Sequence, residues 1–315
     1  MSIPVVDCAA LARDTLDSRQ LDALAATLDQ ALTSAGFVAV RNLGIPADLK
    51  DRAFAEARRF FAWPDAAKRE LAYRDPAANF GYQAPLTEAL DPAVAPDLKE
   101  SFTMRDLRHR VGDEGWPDAA FQGAAEALYD ACFEASMQLL RVFATALGVP
   151  GEYFVRLHSG ENATLRFLHY PHEGLAVSRP EQMGAGAHTD YGALTLLFQD
   201  RVGGLQLKPE GAAEWLDVAP LDEAINVNTG DLMTHWSNGR YPSTLHRVLP
   251  KVGAEDRYSI AFFCDPDSAA PVRCLDACVS TERPARFAET TAGAHIQGRI
   301  EASQAHLAAT QEQRP

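Results

Sequence analysis

Over residues 18–35, SRQLDALAATLDQALTSA, the apolar residues Leu21, Leu24, Ala25, Leu28 and Leu32 recur at the spacing that gathers them on one helical face. Ser18 stands where a helix cap is expected and Gly36 where a helix ends, so the pattern predicts a helix and then a strand through FVAVRNL. Residues 46–62 and 64–71 repeat the helical spacing, the second behind Pro64, which a first helical turn tolerates. From Gly81 to about Arg110 the period is lost, and prolines at 85, 92 and 96 predict an irregular segment. Residues 119–148, AAFQGAAEALYDACFEASMQLLRVFATALG, predict a long amphipathic helix stopped by Gly148 and Pro150.

The second half alternates instead. NATLRFLHY, ALTLLFQ, GLQLK, EWLDV, INVNT, TLHRVL and RYSIAFF are short strand-forming runs separated by turns such as VGG and NTGD, which predicts an antiparallel sandwich or barrel. Residues 283–309 look helical again and should pack outside the sheets, with TQEQRP as a frayed tail. There is no internal repeat and no low-complexity segment. The expected fold class is mainly β with flanking helices. Residues 1–115 form a helical and mixed region, and residues 116–315 hold the long helix, the β core and a C-terminal helix, the two forming one compact unit.

Composition narrows the partner. With 43 acidic against 29 basic residues and a net charge of -14, the chain lacks the concentrated Lys and Arg that nucleic acid or an anionic membrane requires, which leaves a small molecule. Five cysteines, Cys8, Cys132, Cys264, Cys274 and Cys278, are odd in number and scattered, which fits a reducing compartment. Cys274 and Cys278 have no matching pair elsewhere and read as structural thiols. The N-terminus lacks a basic stretch followed by an apolar one, and no apolar run reaches membrane-spanning length. The expectation is a soluble, cytoplasmic monomer.

Candidate chemistry begins at AHTDYGALTLLFQD, residues 187–200, where His188 and Asp190 stand two apart beside a strand-forming run. In an extended chain both would point to one face and could share a metal ion. His246, in TLHRVL, supplies a third donor. Two imidazoles and one carboxylate on one face leave three positions open, the arrangement of non-haem iron(II) oxygenases. In RYSIAFF, Arg257 and Ser259 share a strand face and could clamp a carboxylate, since a charge in an otherwise apolar strand requires an anion opposite it.

His188-x-Asp190, His246 and Arg257-x-Ser259 together resemble the 2-oxoglutarate and iron(II)-dependent dioxygenases of the isopenicillin N synthase-like group. IPVVD, GFVAVRNLGIP, DLKESF, LRFLHYP, VGGLQL, VNTGDLM and FFCDPD extend the resemblance over nearly the whole chain. It implies a double-stranded β-helix, or jelly roll, with the metal near one open end and N-terminal helices closing around it. It further implies that His188, Asp190 and His246 bind Fe(II), that Arg257 and Ser259 hold the distal carboxylate of 2-oxoglutarate, and that Tyr170 contacts the same cosubstrate. The reaction implied is O2-dependent oxidation of a substrate C–H bond, by hydroxylation, desaturation or ring closure, with release of succinate and CO2. Two positions depart from the family pattern: Asn42-Leu43-Gly44-Ile45 replaces Asn-His-Gly-Ile, and Leu168 stands where many plant members carry Asn. The second leaves one fewer polar contact for the cosubstrate.

Substrate contacts are expected from Phe263, which shares a strand face with Arg257, and from Gly81, Tyr82 and Phe102 in the irregular segment. His158, His172, His295 and His306 read as ordinary surface or core histidines, and His169, opposite in face to Tyr170, as a packing residue. Alternatives are an iron(II) oxidase of the same fold that does not consume 2-oxoglutarate, a zinc hydrolase, and a non-catalytic jelly-roll binding module.

Overall fold

The computed structural model describes residues 3–12, 17–75, 78–91, 95–172, 182–250 and 255–299. The strands in chain order are β1 (Val5–Asp7), β2 (Phe37–Arg41), β3 (Phe80–Gln83), β4 (Glu100–Arg105), β5 (Thr164–Tyr170), β6 (Ala185–His188) and β7 (Leu194–Gln199). They continue with β8 (Leu205–Lys208), β9 (Leu216–Val218), β10 (Ala224–Thr229), β11 (Leu245–Val248), β12 (Arg257–Cys264), β13 (Pro271–Val272) and β14 (Thr290–Thr291). The helices are α1 (Ser18–Ala35), α2 (Ala47–Phe61), α3 (Asp65–Glu70), α4 (Ala119–Ala146), α5 (Asp231–Trp236) and α6, residues 292–299.

An eight-stranded sheet in the order β1-β2-β10-β7-β12-β5-β4-β3 faces a four-stranded sheet in the order β6-β11-β8-β9. Every neighbouring pair in them is antiparallel except β1 with β2. This is the expected jelly roll. Strand alternation gives each sheet two faces. Phe37, Leu168, Tyr170 and Ala261 of the large sheet meet Ala185, Leu205, Leu207 and Val248 of the small one in an inner core. The opposite face of the large sheet, with Val38, Val40, Leu165, Phe167, Leu196, Ile260 and Phe262, packs on α1, α2 and α4.

The helices form where the apolar stripes foretell. In α1, Leu24, Leu28 and Leu32 are buried, the Asp17 carboxylate rather than Ser18 caps the first turn through Gln20 N at 2.8 Å, and Gly36 ends it in the left-handed region at φ 64°. A side chain at Gly36 would also strike the Pro242 carbonyl. Asp118 caps α4 through Ala120 N and Phe121 N. Among the described residues, no helix is long and apolar enough to cross a membrane.

Three expectations are corrected. The segment from Gly81 to Arg110 contains two strands of the large sheet, β3 and β4; the prolines delimit strands too short to show a period on their own. The helical stretch expected from 283 begins only at 292. Before it, the Asn238 side chain donates to the carbonyls of Cys278, Arg283 and Pro284 and accepts from Arg286 N, so that backbone is satisfied without helical bonds. Finally, NTGD opens a short helix, α5, where only a turn was expected. Residues 300–309, the TQEQRP tail, Pro92 and His306 lie outside the described residues.

Candidate active site

β6 and β11 pair so that His188 and His246 are direct cross-strand partners, which brings their rings to 4.2 Å between centroids. His188 is the last residue of β6, and Asp190 follows in the turn to β7 rather than on an extended strand. Its Oδ1 nonetheless lies 3.9 Å from His188 Nε2 and 3.7 Å from His246 Nε2. One donor atom from each of the three residues falls within 4.8 Å of the others.

Each donor is aimed by its neighbours. His188 Nδ1 donates to the Gly186 carbonyl at 2.8 Å and His246 Nδ1 to the Thr244 carbonyl at 3.0 Å, which fixes the tautomer and leaves both Nε2 lone pairs facing Asp190. Asp190 Oδ2 accepts from Thr195 Oγ1 and from Asn228 Nδ2, both at 2.6 Å, leaving Oδ1 toward the histidines. Burial, then the neighbouring His246, pushes the His188 imidazole down to about 3, so it is neutral and able to bind a cation at ordinary pH. Burial alone would raise Asp190, but His246, His188 and the bonds from Thr195 and Asn228 hold it below the usual carboxylate range. Gly192 admits no side chain, because the Asp265 carboxylate fills that space.

Along β12, on the inner face, Arg257 is 3% exposed. Its Nε donates to the Gly203 carbonyl at 2.5 Å, its Nη1 to Ser259 Oγ at 3.1 Å, and its guanidinium lies 4.6 Å from the centre of the Tyr170 ring. Its Nη2 is buried without a hydrogen-bond partner among the described residues. A buried cation with a donor left over is what an anion would satisfy.

Comparison with known proteins gives this geometry a family. Residues 161–266 match the 2OG-Fe(II) oxygenase superfamily, and residues 3–119 match the family described as non-haem dioxygenase in morphine synthesis N-terminal. The 2-oxoglutarate-Fe(II) type oxidoreductase hxnY of Emericella nidulans is 35% identical over 296 residues, covering 87% of this chain and 84% of its own. The chain belongs to the 2OG-Fe(II) oxygenase superfamily. Proline hydroxylase buaE of Petromyces alliaceus is 34% identical over 86% of this chain and 90% of its own. A Neurospora crassa protein solved in complex with alpha-KG and thymine superposes with a TM-score of 0.84 at 30% identity, covering 96% of this chain and 97% of that one.

The protein is thus a 2-oxoglutarate- and Fe(II)-dependent oxidoreductase acting on a small molecule, with O2 as co-substrate. Its donor set fits Fe(II): two imidazoles and one carboxylate oxygen converge from one side, and the unpaired Arg257 Nη2 fits a carboxylate cosubstrate.

The substrate expectations divide. Phe263 lies on the inner face with Arg257 and packs at the edge of the inner core. Tyr82 and Phe102 point the other way. Phe102 is fully buried among Phe60, Phe80 and Phe121, and Tyr82 packs on Phe60 with its hydroxyl on Glu100, so neither reaches the site. The alternation of β3 and β4 sends these residues to the helical side. Gly81 has no side chain to offer, and a Cβ there would meet the Leu71 carbonyl. His169 also faces the helices, between Glu100 and Asp256, as its alternation with Tyr170 foretold.

Sequence reasoning missed the inner-face polar residues of β3, β4 and β5. Arg166 Nη2 donates to Glu88, Gln83 and Ser101, and Lys99 pairs with Glu88 and Asp97. It also missed Thr195 and Asn228. Polar residues inside the apolar runs ALTLLFQ and INVNT were the available signal, because buried hydroxyls and amides demand partners.

Proposed function

We propose that this oxygenase hydroxylates a C–H bond of a small polar substrate, with His188, Asp190 and His246 holding Fe(II) and Arg257, Ser259 and Tyr170 holding the distal carboxylate of 2-oxoglutarate. The observation that carries this reading is the convergence of the three donors in a chain that also buries a guanidinium with one unpaired nitrogen. Bound iron and 2-oxoglutarate supply the activation of O2, with succinate and CO2 as co-products. The chain's own work is placement. Thr195 and Asn228 fix which Asp190 oxygen faces the metal, and the Gly186 and Thr244 carbonyls fix the imidazoles. Ser259 and Gly203 lock the guanidinium so that its free edge meets a carboxylate without reorganisation.

The substrate side of the site is the inner face toward β5, β4 and β3, with Phe263 as an apolar wall and Arg166, Gln83 and Ser101 as a hydrogen-bonding one. That wall supports a polar substrate of modest size, in keeping with the thymine complex of the Neurospora neighbour. The reading extends to a cytoplasmic monomer in which residues 1–115 and 116–315 act as one unit. The five buried, unpaired cysteines support the reducing setting.

Anaerobic titration of the Fe(II)-loaded protein with 2-oxoglutarate tests it through the visible metal-to-ligand charge-transfer band. Wild type gives a saturable band and Arg257→Ala requires roughly tenfold more cosubstrate or beyond, by the strength of a charge-assisted bond. Iron binding without a band in wild type would replace this reading with an oxidase that does not use 2-oxoglutarate.

A further inference from the structure

We infer that Gln199 is a further cosubstrate-binding residue, its side-chain amide donating to the distal carboxylate of 2-oxoglutarate beside Arg257 and Ser259; the inference rests on the clamp reading above. In the β7–β12 ladder Gln199 is the direct partner of Ser259, so the two side chains stand next to each other on one face. It is the face of Arg257, two residues before Ser259 on β12. Four residues earlier on β7, on that same face, Thr195 holds the Asp190 carboxylate. One edge of the inner wall thus runs from the metal ligands to the clamp, and Gln199 stands at its clamp end.

The hydrogen-bond ledger there is incomplete. Gln199 Nε2 and Oε1 and Arg257 Nη2 are all buried with no partner among the described residues. Buried side-chain polar atoms are mostly paired, and here three unpaired ones fall at neighbouring positions. Two of them, Arg257 Nη2 and Gln199 Nε2, are donors. A carboxylate, with two oxygens and about four lone-pair sites, can take both in addition to the Ser259 hydroxyl. A neutral amide adds a contact without adding charge, so it favours a ligand with a carboxylate at the right distance from the chelating end over a shorter or uncharged one.

The test titrates the Fe(II)-loaded full chain anaerobically with two probes and reads the charge-transfer band. One probe is 2-oxoglutarate; the other is 2-oxopentanoate, which has the same chelating head and no distal carboxylate. Gln199→Leu is expected to weaken 2-oxoglutarate about tenfold. Gln199→Glu, which sets a carboxylate against a carboxylate, weakens it further, and both variants leave 2-oxopentanoate within about twofold of wild type. Unchanged 2-oxoglutarate binding in both variants overturns the inference. So does an equal loss for both probes, which would mean that Gln199 acts through the fold. Wild-type binding by Gln199→Glu overturns it too, because that residue would then serve only as an acceptor for Arg257. Arg257→Ala separates the two levels: a loss confined to that variant leaves the clamp standing while the Gln199 contact falls, and no loss there removes the clamp as well.

Discussion

At the scale of single residues, the candidate site depends on the groups that aim its three donors as much as on the donors themselves. Asp190 has two oxygens, and which one faces the histidines is set by Thr195 Oγ1 and Asn228 Nδ2 on the other. Thr195→Val keeps the shape and removes the hydroxyl bond, leaving Oδ2 held by Asn228 alone and the carboxylate less firmly oriented. Iron(II) affinity in this variant is expected to fall by roughly ten- to a hundredfold, the usual cost of losing an outer partner of a metal ligand. Anaerobic competition with a chelating dye measures it. Thr195→Ser, which restores the hydroxyl, should recover most of the loss; equal affinity in Val and wild type would show that Asn228 alone orients Asp190.

At the scale of elements, alternation along a strand decides whether a residue touches substrate or core. Phe102 and Tyr82 come from a segment without visible period, and their role depended on knowing that β3 and β4 are strands and which face each presents. Both are turned to α2 and α4, where Phe102 sits 5.1 Å from both Phe60 and Phe121. Phe102→Ala therefore costs stability, about 3–5 kcal/mol for a buried aromatic, and leaves the dissociation constant of 2-oxoglutarate within about twofold. Denaturant unfolding together with the anaerobic titration checks both halves. A stable variant with altered cosubstrate binding would return Phe102 to the site. Helices were the legible part, because α1 and α4 carry long stripes with end signals, whereas a strand as short as β3 has no room to show a period.

At the scale of the whole molecule, buried neutral imidazoles make stability depend on pH. His158 is 5% exposed, donates from Nδ1 to the Phe154 carbonyl, and is pushed by burial from 6.5 down to about 4. Its folded value lies below its unfolded one, so between those two the unfolded chain binds the extra proton and acidification favours unfolding. The contribution is fully present above pH 6.5 and is lost as pH falls toward 4, a loss of about 3 kcal/mol over that window. Unfolding free energies of wild type and His158→Gln, measured from about pH 7 to about pH 4, should differ in slope, with the variant flatter. Parallel curves would mean that His158 is protonated without cost.

Chemistry and fold were written in the sequence to different depths. The residue types of His188, Asp190, His246, Arg257 and Ser259 pointed to a metal and a carboxylate partner, because donor chemistry is carried by side chains whatever the path between them; 2-oxoglutarate and the jelly roll came from the resemblance that their order and spacing carry. The helical stripes and alternating runs fixed most elements for the same reason, each being a local periodicity. What only the tertiary structure decided was direction and proximity. The register that pairs His188 with His246, the cross-strand seat of Gln199 beside Ser259, and the turning of Tyr82 and Phe102 away from the site all depend on how distant strands pair. A shift of one residue in any of those ladders would send every side chain to the opposite face, and no local pattern records which register was chosen.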